Sequence, residues 1–206
     1  MDWKRRFKVL LGIVVILFLI LGGCANDEEN KSTELEGTWK SPICSYSSDA
    51  GMDKQVLYVF SDNTLHMYDH YYETTDESCV GPALDQDASF TFTLGDPVDT
   101  ASDIKEFDFV KKGISYTPRS DSGLTVANDD CDGDVTFTVI DETKPVTDTK
   151  CDHFTSMTVD VEYYSAYELD EDLEPDEVYF SQADAEPDES LRPTTVDKVN
   201  ARYIKQ

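Results

Sequence analysis

The chain has 206 residues, 43 of them Asp or Glu against 17 Lys or Arg, for a formal charge of −26 at pH 7. A balance that acidic excludes nucleic acid as a partner, because phosphates demand Lys and Arg, and excludes electrostatic adsorption to an anionic bilayer. The length suits one domain of ordinary size.

Residues 1–8 carry Lys4, Arg5, Arg6 and Lys8, and residues 9–21 form an apolar run interrupted only by Gly12. A basic head, an apolar stretch of about 7–15 residues and a small-residue cleavage site describe a secretory signal helix. The run falls short of the about 20 apolar residues that a spanning helix needs. Leu21-Gly22-Gly23-Cys24 resembles the lipobox of bacterial lipoproteins. The resemblance implies that residues 1–23 are removed and that the Cys24 sulfur carries a diacylglycerol, so that acyl chains such as palmitate anchor the protein to a membrane of the cell envelope. Ala25 and Asn26 lack the Asp that marks inner-membrane retention in enterobacterial lipoproteins. By the same resemblance the expected address is the outer membrane, with the domain periplasmic or surface-exposed.

Residues 24–34 are polar and acidic without apolar periodicity and read as a flexible tether. If lipid consumes Cys24, four cysteines remain, an even number suited to an oxidising compartment. Of their three connectivities, Cys44–Cys79 with Cys131–Cys151 closes the shortest loops and staples two separate halves.

From residue 35 to 206 the pattern has period two. Residues 35–40 place Leu35, Gly37 and Trp39 on one face. Residues 55–61 are apolar on both faces, and Ser61-Asp62-Asn63-Thr64 is a tight turn leading into 65–72. Residues 89–94 direct Phe90, Phe92 and Leu94 inward; 104–110 offer Phe107 and Phe109. Residues 135–140 set Val135, Phe137 and Val139 against threonines, and 155–163 set Met157, Val159, Val161 and Tyr163 against Thr158, Asp160 and Glu162. Two short strands are expected at 177–181 and 199–204. About nine strands with one apolar face, and no helix after the signal, predict an all-β antiparallel meander barrel of eight or nine strands, or a β-sandwich.

Gly37-Thr38-Trp39 is similar to the Gly-x-Trp signature of lipocalins and bacterial lipocalin-like domains. The resemblance implies a Trp packed across the closed end of a barrel beneath a basic residue of the last strand, here Arg202, and an interior lined by Trp39, Phe90, Phe92, Phe137, Met157 and Val159. The ending Leu191-Arg192-Pro193-Thr194-Thr195-Val196-Asp197 also resembles the tail of uncharacterised bacterial lipoproteins with Gly-Thr-Trp and paired cysteines.

Other chemistry is sparse. His66 and His70 lie four apart on a strand, a span of roughly 13 Å, too far for one metal. Asn128, Asp130, Asp132 and Asp134, around Gly133, follow the opening of a calcium loop. The twelfth position, where that loop needs Glu, is Val139, so metal binding is not expected. There is no Gly-x-Ser-x-Gly, no His-Glu-x-x-His, no phosphate loop and no dinucleotide fingerprint, so neither catalysis nor a cofactor is expected. Two readings stand at this point. One is an envelope barrel that holds a small apolar or amphipathic ligand; the other is a structural or interaction lipoprotein with a filled core, its protein partner unnamed by the sequence.

Overall fold

The computed structural model describes residues 34–48, 50–74, 79–154, 156–181 and 187–206. The expected signal segment, the expected lipidation site Cys24 and most of the expected tether lie outside them. The chain divides into two units, Met1–Asn30 and Lys31–Gln206, and every described residue belongs to the second.

Ten strands are present among the described residues: β1 (Gly37–Lys40), β2 (Ser45–Ser47), β3 (Met52–Ser61), β4 (Thr64–Tyr72), β5 (Leu84–Pro97), β6 (Lys105–Pro118), β7 (Lys144–Pro145), β8 (Glu162–Asp170), β9 (Glu177–Phe180) and β10 (Arg202–Lys205). Eight of them close a ring in the order β1, β3, β4, β5, β6, β8, β9, β10 and back to β1, every pairing antiparallel. This is the meander barrel, not the sandwich. Closure removes the exposed strand edges that an open sheet would have to protect. β2 and β7 lie off the ring and pair with β3 and β6.

The two ends differ. At the base the connections are short, Ser61–Thr64 among them, and Trp39 is fully buried, its indole Nε1 donating to the Leu35 carbonyl at 2.7 Å. At the mouth lie the long connections, including residues 119–161 between β6 and β8. Both disulfides are there, Cys44–Cys79 and Cys131–Cys151, with Cα atoms 6.2 and 4.4 Å apart.

Three sequence expectations are corrected. First, the β domain does contain a helix, α1 (Asp121–Cys131), begun by Ser120, whose hydroxyl accepts from the Gly123 N–H. It packs through Gly123, Ala127 and Cys131, a stripe of small residues that gives almost no apolar signal. Second, residues 135–140 are not a strand. The Asn128 side chain binds both the N–H and the carbonyl of Phe137, at 2.7 and 3.0 Å, and so fixes this backbone from the helix. Third, the strand expected over 155–163 begins only at Glu162, because Lys111 draws the backbone before it over the barrel.

Candidate functional site

Alternation along the ring strands sends Tyr58 and Phe60 (β3), Leu65 and Met67 (β4), Phe90 and Phe92 (β5), Phe107 and Phe109 (β6) and Phe180 (β9) inward. Towards the base the rings interlock: Phe60 meets Phe92 edge-on at 5.1 Å, and Phe107 and Phe180 are 5.5 Å apart. Such pairs add about 0.5–1.5 kcal/mol each beyond the area they bury. Higher up they leave space. A cavity of about 400 Å³ is bounded by Tyr58, Met67, Phe90 and Phe109 on the walls and by His153, Phe154 and Met157 above.

The cover over this cavity is held by one side chain. Alternation turns Lys111 inward in line with Phe107 and Phe109, and a register shift between Ser89 and Phe90 leaves Lys112 unpaired with β5, facing out to Asp160. The Lys111 Nζ, fully buried, donates to the Asp152 carboxylate and to the carbonyls of Phe154 (3.0 Å) and Met157 (3.2 Å). Ionic donors of this kind satisfy buried acceptors more strongly than neutral ones. The cost of burying the ammonium is met by three oxygens on one short arc of chain. Phe154 is thereby set edge-on to Phe90 at 5.9 Å.

Towards the mouth the interior becomes polar. Asp69 (β4), Gln86 (β5) and Tyr116 (β6) are neighbours across the strands, Asp69 paired with Gln86 and Gln86 with Tyr116. Asp69 accepts from Lys54 at 3.2 Å. A second cavity of about 360 Å³ lies here, between Tyr71, Leu84, Tyr116, Asp130 and His153; His153 borders both cavities. The Tyr116 hydroxyl donates to Asp130 at 2.8 Å, and His153 Nε2 lies 3.3 Å from the same carboxylate. Burial, then the neighbouring Asp130 charge, push the Tyr116 hydroxyl far above the ordinary phenol range. Burial favours the neutral form of Asp130, but hydrogen bonds from His153 and Tyr116 outweigh it and leave the carboxyl below its usual range. The bond to Asp130 raises the His153 imidazole, against burial.

The residues expected from the sequence divide among these places. Phe90 and Met157 line the cavity, and Phe92 is buried beneath it. Trp39 closes the base, but the cation over its ring is Lys205, 5.1 Å from the centroid. Arg202 instead grips Glu177 through Nε and Nη2. Phe137 is buried elsewhere, beside Tyr116 and under Lys144, because its segment follows α1 and is no barrel strand. Val159 is half-buried outside the cavity for the same kind of reason. His66 and His70 are on the outer wall, each hydrogen-bonded to its own carboxylate, Asp87 and Asp85.

Asn128, Asp130, Asp132 and Asp134 do not converge. The first two belong to α1 and bind Phe137 and Tyr116, and the last two meet Lys150. Among the described residues no three His, Cys, Asp or Glu side chains are grouped for a metal. Sequence reasoning misses Lys111, Asp69 and Gln86. Their signal is a polar residue breaking an apolar inward register, which is legible only once the register is known. No protein-family model matches the chain, and no curated protein matches it.

Proposed function

We propose that this chain is a lipid-anchored barrel of the bacterial cell envelope that holds a small apolar or amphipathic molecule. The observation that carries the ligand reading is the roughly 400 Å³ cavity ringed by aromatic side chains and roofed by a segment that Lys111 holds down. Binding sites for small molecules are concave and mostly apolar with few polar groups, and their usual volumes begin at about 300 Å³. A filled interior, the alternative, describes the lower half of the barrel, where Phe60, Phe92 and Phe107 interlock. On that alternative the protein acts as a structural or interaction lipoprotein. The lipobox-like residues at 21–24 and the acidic tether support the envelope address and, by resemblance, the outer membrane; no catalytic step is assigned.

Every ring pairing and both disulfides lie within Lys31–Gln206, so a chain beginning at Lys31 carries the complete barrel. The uncharged fluorophore 1-N-phenylnaphthylamine should brighten on addition of that chain with its far-ultraviolet spectrum unchanged. Met67→Trp, which fills the cavity from its wall, should abolish the rise in a folded protein. A wild-type barrel that leaves the fluorophore dark favours the filled core. For the anchor, Cys24→Ser in the whole chain should abolish metabolic labelling by a fatty-acid probe, and persistent labelling would remove the lipoprotein reading.

A further inference from the structure

Above the aromatic cavity, the inner wall carries polar atoms that the barrel does not satisfy. Asp69 and Gln86 are directly paired across β4 and β5, two residues mouthward of Met67 and of Ala88. Asp69 is 5% exposed and Gln86 0%. Lys54 and Tyr71 both bond to Asp69 Oδ2. Oδ1, and both amide atoms of Gln86, have no hydrogen-bond partner among the described residues. Groups shut away from water are nearly always paired, and an unpaired carboxylate oxygen is among the most costly to leave so. Two acceptor oxygens and one amide donor, on cross-strand partners, therefore lie where apolar tail space gives way to the polar mouth.

Their surroundings set the sign of what they accept. The mouthward cavity is bordered by Asp129 and Asp130. The two nearby cations are already engaged, Lys54 by Asp69 and His153 by Asp130. An anionic head would meet three carboxylates, with both of those cations already committed. A hydroxyl head could accept from the Gln86 amide but would supply one donor for two oxygens and no charge to meet Asp69. A primary ammonium supplies three donors and a charge of the right sign.

We infer that the molecule held here is a primary-amine amphiphile, its ammonium on Asp69 Oδ1 and Gln86 Oε1 and its apolar tail among Met67, Phe90 and Phe109. This rests on the cavity reading above and adds the class of the head group.

The test uses three ten-carbon competitors, decylamine, decanol and decanoate, against 1-N-phenylnaphthylamine bound to Lys31–Gln206. Decylamine should displace the fluorophore at about one-tenth the concentration of decanol or less, since hydrogen bonds to a charged group contribute about one factor of ten or more. Decanoate should be the weakest. Asp69→Asn should collapse the advantage of the amine over the alcohol, and Gln86→Met should reduce it, so the proposal does not hang on the folding of a single variant. Equal displacement by all three, the result if buried water satisfies these atoms, overturns the inference and leaves the cavity reading standing. Strongest displacement by decanoate also overturns it. A fluorophore that never brightens removes both.

Discussion

Lys205 sits 5.1 Å from the centroid of the Trp39 ring, and the two residues are cross-strand partners in β10 and β1. The contact closes the barrel's base and its ring at the same point. Trp39→Ala should lower stability by about 3–5 kcal/mol, as large core truncations do, whereas Lys205→Gln should cost about 0.5–2 kcal/mol, the worth of a cation over an indole. Arg202→Gln should leave the Trp39 emission unshifted, because Arg202 faces Glu177 instead. Urea titration of Lys31–Gln206 followed by indole fluorescence checks the Lys205 and Arg202 variants, since Trp39 is then the sole indole, and circular dichroism follows Trp39→Ala.

Helix α1 touches the barrel through a glycine. A Cβ on Gly123 would lie 1.7 Å from the Ala83 carbonyl oxygen, which is backbone and cannot step aside. In an ordinary exposed helix Gly→Ala is worth roughly 1 kcal/mol of stabilisation. Here the sign should reverse, with a loss of about 1–3 kcal/mol as in overpacked cores. Thermal unfolding of Gly123→Ala beside an alanine substitution at exposed Thr125 separates the two effects.

The cysteines can be read directly. Peptide mapping without reductant should return Cys44–Cys79 and Cys131–Cys151 with no free thiol among the four. The links span 35 and 20 residues, so each should contribute about 3–4 kcal/mol by loop entropy. Cys44→Ser with Cys79→Ser should shift the urea midpoint downward without changing the barrel's circular dichroism.

Asp130 and His153 predict a pH window. The imidazole is raised in the folded state, so its contribution is fully present below its ordinary value of 6.5 and is lost as pH climbs through the raised one. The carboxyl is lowered, so its contribution is present above its ordinary 3.8 and is lost as pH falls through the lowered value. The pair should therefore favour the fold most in mildly acidic solution. His153→Gln should flatten the thermal midpoint between neutral and alkaline pH while leaving the midpoint's dependence on reduction unchanged.

Sequence pattern and structure agree where a strand's partners are its neighbours in the chain. Phe90, Phe92 and Leu94 alternate with threonines and are buried as that alternation requires; the turn at 61–64 joins β3 to β4. Agreement fails where a distant side chain decides the backbone. Val135, Phe137 and Val139 alternate as cleanly, yet Val139 is 59% exposed, because Asn128 fixes Phe137 and the residues around it join no strand. The segment before β8 reads as a strand but gives two of its carbonyls to Lys111. α1 escapes the pattern because its inward stripe is small and not apolar. The basic residue over Trp39 lies three positions beyond the one the resemblance implies, since β10 starts at Arg202 and its register with β1 is set by Trp39 and Lys205.

The seam where β1 meets β10 has the shortest ladder in the ring, two registered pairs, while β5 and β6 share twelve. Covalent staples secure the opposite rim, so the molecule is mechanically lopsided. Tension entering through residue 34 would load β1 first and peel it from β10 before the long central hairpin feels strain. Amide protons of Arg202–Lys205 should accordingly exchange with deuterium well ahead of those in Leu84–Pro97, and the barrel should loosen from its base while its stapled rim keeps its outline.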